Sequence, residues 1–301
     1  MVMKSHITDL SLYEYYLKEK GLLAESSIYT YTRSVKRFLA TNPDLENIED
    51  YNEFLVKVGI KKRCTHYYSA LKSFIQFKIT ETNLKNKLID NLVFPKIRFD
   101  IVRERRYLDE DKLLEILNNL TDLKHKVIAL IQMITGVRAG DIIRLKKGNI
   151  VSEEYKDKPV VKLNLIGKGR KRNVVFIHDV ISQDVIMNYI TQHSGYGDYY
   201  FIELGTAGKR QGDTSSENML LKMNYLWYWQ DLKEALNTAG IEKSDFATHD
   251  FRRCFARRVW EKYNDILVLQ HLLNHADPKV TMRYLEQSGL RNIDYHYEMQ
   301  K

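Results

Sequence analysis

Residues 247–286 read ATHDFRRCFARRVWEKYNDILVLQHLLNHADPKVTMRYLE, and this stretch decides how the rest of the chain is read. His249 and Arg252 stand at i and i+3, which puts both on one face of a helix, close enough to grip a single phosphate. Asn274-His275-Ala276-Asp277-Pro278 reads as one helix ending and another starting. Asn tolerates the left-handed conformation that closes helices, Asp277 offers an N-cap and Pro278 suits the first helical position. The new helix, Pro278 to about Gln287, carries Tyr284. Two histidines, an arginine and a tyrosine thus follow in an order suited to breaking a phosphodiester.

Upstream, Asp109 or Asp111 starts a helix carrying Leu113, Leu114, Ile116 and Leu117. Leu123–Thr135 is a mostly buried helix that Gly136 ends. Arg138 then opens a short helix that Gly148 closes. A helix N-terminus presents free N–H groups and a positive dipole end, so an arginine there suits an anion. Pro159 to Ile177 reads as two strands, with Val161, Leu163 and Leu165 alternating with polar residues, and a further strand near Ile150 is weakly patterned. Gly167 and Gly169 allow the turn, and Lys168 sits at its tip. No Walker A pattern is present, so Gly167-Lys168-Gly169 does not indicate nucleotide binding. Asp179 to His193 is helical. Residues 195–218 read as a long loop with a short strand, Tyr199–Ile202. Met219 to Ala239 is helical, and its stripe of Tyr225, Trp227, Tyr228 and Trp229 reads as core. His125, His178 and His193 carry no pattern and read as structural.

The first 94 residues read as a small all-helical domain. Its helices are placed near Leu10–Leu17, from a Ser26 or Ser27 cap to Asn42-Pro43, over Ile48–Val58, over Arg63–Lys78 and over Asn83–Asp90. Its candidate DNA surface is Ser34, Lys36, Arg37, Lys61, Lys62, Arg63, His66 and Lys72, although a solvated helix face is how most lysines sit. Residues 95–106 form a basic linker in which Arg103, Arg105 and Arg106 suit a tether along a phosphate backbone. A second domain, mixed α/β, spans 107–301. The fold class is therefore mainly α with a small antiparallel β-sheet.

The chain has 301 residues, of which 44% are hydrophobic and 29% charged, enough to bury a core. A net charge of +8 favours a polyanionic partner. The two cysteines, Cys64 and Cys254, form no disulfide framework and no zinc pattern. His271 and His275 stand at i and i+4, but no neighbouring carboxylate pattern makes them a metal pair. No signal peptide or apolar span is legible, so a soluble, cytoplasmic protein that joins the nucleoid when on DNA is expected.

His249-x-x-Arg252, Leu273-x-His275 and Thr281-x-x-Tyr284 follow Thr135-Gly136-Val137-Arg138 and Gly167-Lys168-Gly169-Arg170-Lys171-Arg172. In this order and spacing they resemble the signature of the tyrosine recombinase, or phage-type integrase, family in its compact Xer- or Cre-like form. The resemblance covers about residues 107–290 by motif and the N-terminal half by helical architecture alone. It implies a helical core-binding domain followed by a catalytic domain. The reaction it implies is a transesterification without metal or cofactor. Tyr284 would form a 3′-phosphotyrosyl bond and free a 5′-OH, which attacks a partner strand through a Holliday junction.

By the same resemblance Arg138 and Arg252 stabilise the charge on the non-bridging oxygens, and Lys168 protonates the leaving 5′ oxygen. His249 assists tyrosine deprotonation or orients the phosphate, and His275 hydrogen-bonds a non-bridging oxygen. Asp141 orients an arginine, while Arg170, Lys171 and Arg253 add phosphate contacts. Arg253 stands where the family often has His, and Asn274 replaces the Gly usual before the second His; neither removes a reacting group. The implied partners are a specific double-stranded DNA site, other copies of the chain as a tetramer on two duplexes, and room for an accessory protein. Residues 285–301, with Leu285, Leu290, Ile293 and Tyr297, would dock on a neighbouring copy or cap their own chain. Two other readings share these residues: a type IB topoisomerase-like relaxing enzyme, and a DNA-binding protein that has lost catalysis.

Overall fold

The computed structural model describes residues 2–21, 23–59, 65–94, 107–167, 172–193, 195–204 and 217–287; for 2–8, 218 and 283–287 it describes the backbone alone. The chain divides into two compact units, Met1–Val102 and Arg103–Lys301. Residues 95–106, read as a linker, lie outside the described residues, as do Cys64 and the tail beyond 287.

The first unit holds α1 (Val2–Glu19), α2 (Glu25–Leu39), α3 (Ile48–Gly59), α4 (Thr65–Lys78) and α5 (Thr82–Asp90). Its core is aromatic: Tyr13, Phe38, Tyr51 and Phe74 are fully buried. Tyr13 meets the Phe74 ring edge-on at 5.3 Å and donates its hydroxyl to the Ala70 carbonyl. Rings that meet at an edge and still satisfy their polar tips give a small helical unit a specific core. Two expectations need correction. Ala24, with no side-chain bond, occupies the N-cap of α2, rather than Ser26 or Ser27. Ser34 is not surface but 3% exposed, because a helical serine can return its hydroxyl to the carbonyl four residues back, here Thr30.

The second unit is built on α7 (Leu123–Thr135), which is buried on nearly every side. The Asp122 carboxylate caps its start by accepting from the Lys124 N–H, and Gly136, at φ 67°, closes its end. A side chain at 136 would be doubly refused, since the left-handed backbone disfavours it and a Cβ would run into the Phe255 ring. Before α7 lies α6 (Glu110–Asn119), capped by Asp109; after it lies α8 (Ala139–Ile143). α8 therefore stops well short of Gly148, and Lys146–Ile150 leads directly into the sheet.

β1 (Ile150–Tyr155), β2 (Lys158–Ile166) and β3 (Arg172–Ile177) form an antiparallel meander in that order. Lys156 and Asp157, both at positive φ, make the tight β1–β2 turn. Val161, Leu163 and Leu165 of β2 face the core, as their alternation predicts.

α9 (Val180–Gln192) and α10 (Glu217–Thr238) precede α11 (Thr248–Tyr263), α12 (Ile266–Leu272) and α13 (Pro278–Gln287) in sequence. The strand expected at Tyr199–Ile202 is a single bridge, Lys146 to Tyr199. Phe201 and Ile202 are apolar because they are buried, not because they pair in a ladder. The structural reading of His125 holds: its Nδ1 lies 2.7 Å from Asp231, which also accepts from the Thr121 backbone and hydroxyl, tying α7 to α10. Among the described residues no helix is long and apolar enough to cross a membrane.

Candidate active site

Three separate segments bring four of the expected residues, Arg138, His249, Arg252 and His275, to one place. The turn after α7 brings Arg138, the N-cap of α8. The first two turns of α11 bring His249 and Arg252, and the break between α12 and α13 brings His275. That break forms as the sequence indicates. Asn274 takes φ 48°, and Asp277 accepts from the Lys279 N–H at the start of α13. Asn274 thus supplies the backbone conformation that a glycine would, and its amide adds a bond to the Arg172 carbonyl at the start of β3.

Arg252 is the hub. It is 3% exposed, and its guanidinium donates from Nη1 to the Gly136 carbonyl at 2.6 Å and from Nη2 to the Leu273 carbonyl. Nη2 also lies 3.0 Å from His275 Nε2. Because an arginine can only donate, that Nε2 accepts, and a neutral His275 carries its proton on Nδ1. Nδ1 therefore donates to the Thr281 hydroxyl at 2.9 Å. Thr281 is fully buried on α13, three residues before Tyr284. One chain of bonds, Gly136–Arg252–His275–Thr281, connects the loop after α7 to the helix that carries Tyr284. His275, expected to bond a phosphate oxygen, has both ring nitrogens engaged here, and its first effect is to hold Arg252.

Asp141 sits between two arginines, with its oxygens 4.0 Å from Arg138 and 3.7 Å from Arg144. Burial raises its carboxyl pKa, opposed by the charges of Arg138, Arg144 and Arg252. It is thus shared between the two arginines. Arg253 is held by Asp250 at 2.7 Å, and Asp250 also accepts from the Ala247 N–H at the start of α11.

Arg138, Asp141 and Arg252 line a pocket of about 30 Å³ with Gly167, Asn173 and Leu273. That space is far below the several hundred Å³ of small-molecule sites. It suits one substituent of a larger ligand, such as a backbone phosphate offered from the surface. Gly167 and Arg172, the ends of the β2–β3 turn, frame this region. The turn's Lys168, Arg170 and Lys171 lie outside the described residues, as do Lys61, Lys62, Arg63, Arg103, Arg105 and Arg106 and the side chain of Tyr284. In the first unit Lys36 and Arg37 are exposed on α2, and Arg37 donates to the Tyr67 hydroxyl.

Both site histidines are held neutral. Burial, followed by the charges of Arg252, Arg253 and Arg138, lowers His249 to about 4. Burial, then Arg252 and Arg138, lowers His275 to about 4. Between the ordinary histidine value near 6.5 and about 4 the unfolded chain binds protons that the folded chain refuses, so stability falls as pH drops through that window. Urea unfolding at about pH 7 and about pH 5 should show this loss, and His249→Gln should make it smaller.

His271 is exposed while His275 is buried and engaged, so the two do not form a metal pair. Among the described residues no group of three or more His, Cys, Asp or Glu could hold a metal ion.

The sequence pattern of the phage integrase family matches residues 106–290. The chain belongs to that family. This tyrosine recombinase is 22% identical to the tyrosine recombinase XerD of Rickettsia bellii (strain RML369-C), over 96% of its own length and 97% of that protein. It is 24% identical to XerD of Listeria innocua, over 92% and 93% of the two chains. Its fold is similar to that of the XerH site-specific recombinase, with a TM-score of 0.62 at 17% identity over 91% of this chain and 80% of the other. A lambda integrase dimer bound to a core site gives a TM-score of 0.64 at 17% identity, over 92% and 94%.

Arg138, His249, Arg252 and His275, each singled out in the sequence, lie together, whereas Arg144, paired with Asp141, was not among the expected site residues. Thr281 entered only as a motif position and Gln132 not at all, because their importance comes from buried hydrogen bonds; the polar residue inside an apolar run is the signal that Gln132 offered.

Proposed function

We propose that this tyrosine recombinase cuts and rejoins DNA at a specific site through Tyr284, with Arg138 and Arg252 cradling the scissile phosphate. The observation that carries the reading is the convergence of Arg138 and Arg252 on one small pocket, with His275 and Thr281 joining Arg252 to the Tyr284 helix. The Tyr284 oxygen attacks phosphorus and the P–O5′ bond breaks, leaving a 3′-phosphotyrosyl link. Two guanidiniums stabilise the charge that gathers on the non-bridging oxygens, where planar multidentate donors act best. His249, neutral near pH 7, is able to take the tyrosine proton; the anionic phosphate opposes the arginines and raises its basicity on binding. Lys168, one residue beyond the pocket-lining Gly167, protonates the leaving 5′ oxygen. The freed 5′-OH of a partner strand then reverses the attack, so bond energy is conserved.

The helical first unit serves as a core-binding domain, with Lys36, Arg37, Lys61, Lys62 and Arg63 toward DNA, and residues 95–106 follow the backbone between the units. Arg170, Lys171 and Arg253 add phosphate contacts near the site. The assembly is a tetramer on two duplexes. Residues 285–301 dock on a neighbouring copy through Leu285, Leu290, Ile293 and Tyr297, and a groove of about 1250 Å³ between the end of α7, β3, α11 and α12, whose mixed lining includes the apolar Val174, Phe176, Phe255, Val259 and Leu267, offers a seat for such a segment. An accessory protein fits this scheme without being required by it.

Supercoiled plasmids with two copies of the native genomic site, or with none, test the reading. Site-dependent recombinant products are expected only from the first. Relaxation of both plasmids alike, without recombinants, would instead indicate a topoisomerase-like enzyme.

A further inference from the structure

We propose that Gln132 is a positioning residue of the cleavage site, holding the two arginine-bearing segments in register. The inference rests on the assignment of Arg138 and Arg252 to the scissile phosphate.

Gln132 is 1% exposed in the last turn of α7, between the apolar Ile131 and Met133. Its backbone carbonyl accepts from the Gly136 N–H at 2.9 Å, the bond that ends α7 two residues before Arg138. Its side-chain Nε2 donates to the Thr248 carbonyl at 2.9 Å, and its Oε1 accepts from the Tyr228 hydroxyl at 2.8 Å. The amide can be placed only this way round, because a carbonyl cannot donate. Thr248 opens α11, next to His249 and one turn before Arg252. Arg252 returns to the Gly136 carbonyl at 2.6 Å. The bonds form a ring: Gln132 to Gly136, Gly136 to Arg252, along the first turn of α11 to Thr248, and back to Gln132.

The bond to Thr248 is not needed for backbone satisfaction, since the carbonyl of a first-turn helical residue already has the N–H four residues on as its partner. A methionine at 132 would fill this apolar site without burying an amide, which is costly. What the glutamine adds is alignment. Two α10 tyrosines brace it: Tyr228, fully buried, holds the amide, and the Tyr225 hydroxyl lies 2.8 Å from Thr248 Oγ1. Of the aromatic stripe of α10, Tyr228 is core and Tyr225 and Trp229 pack against it half-buried, while Trp227 is half-buried outside that cluster; the Tyr225 hydroxyl meets the start of α11 and the Tyr228 hydroxyl meets Gln132 on α7.

The test compares Gln132→Met, Tyr228→Phe and the double variant in the full-length protein, on a nicked duplex containing the native site. Gln132→Met should bind DNA within about twofold of the parent. At saturating protein its single-turnover cleavage should fall by about 10–100-fold, the scale of a misplacement near 1 Å. It strands the Tyr228 hydroxyl, so its melting temperature falls too. The double variant removes both polar partners, and its melting temperature should recover while cleavage stays slow. If cleavage recovers with melting temperature, or if Gln132→Met cleaves at the parental rate, Gln132 is structural only and the proposal is overturned. Tyr284→Phe is run alongside: if it still forms a covalent adduct, the site assignment fails and the proposal fails with it.

Discussion

Arg252→Ala lowers single-turnover DNA cleavage by at least about 10³-fold, the upper range for removing one transition-state donor. The effect is expected to be this large because one guanidinium serves two ends. Toward the small pocket it faces the proposed phosphate site with Arg138, and toward the interior it binds the Gly136 and Leu273 carbonyls and His275. Truncation removes the charge and also unties the loop after α7 from the α12–α13 break. Two buried carbonyls lose a donor, at a cost of about 1–3 kcal/mol each in urea unfolding. Arg252→Lys separates the two contributions. An ammonium keeps the charge but cannot fork across three acceptors, so stability is partly restored while cleavage remains down by about 10²-fold. An Arg252→Ala variant that cleaves within a few-fold of the parent contradicts the central role of this residue.

Tyr284→Phe removes a single oxygen and should abolish cleavage, with a loss of at least about 10⁴-fold, as expected when a nucleophile has no substitute. Position 284 shares the face of α13 with Thr281, whose hydroxyl accepts from His275. The helix is therefore registered against Arg252 through His275, without help from the tyrosine oxygen. DNA affinity and melting temperature should match those of the parent, in contrast to Arg252→Ala. Gel shift and thermal unfolding of the two variants, side by side, read this difference. Loss of folding in Tyr284→Phe would mean that the residue acts in the structure instead of in the chemistry.

Much of this site was legible because its signals are local. Asn274 and Pro278 announce a helix break, and Gly136 announces the end of α7, since each residue type suits a backbone conformation that few others accept. The i, i+3 spacing of His249 and Arg252 needs only helical geometry. What stayed hidden depends on partners far away in sequence. Gln132 meets Thr248 and Tyr228, and His275 takes its tautomer from Arg252, through contacts that no periodicity encodes. Ser34 looked like surface because its type is polar, yet a hydroxyl that bonds within its own helix can be buried cheaply. The Tyr199–Ile202 segment looked like a strand because burial and pairing leave the same apolar signature. α8 looked longer than it is because Gly148, at φ 81°, ends a turn before β1 instead of a helix.

The proposed reaction turns on Tyr284 as the nucleophile, and the most direct measurement is the position of the covalent adduct. The protein is incubated with a nicked suicide duplex from its native genomic surroundings, without added metal, and the trapped complex is digested for mass spectrometry. A nucleotide on the peptide carrying Tyr284, joined through a 3′-phosphate and absent from Tyr284→Phe, is the result predicted here. An adduct on any other tyrosine, on DNA that the protein demonstrably binds, would contradict the assignment and with it the arrangement of arginines and histidines argued around that helix.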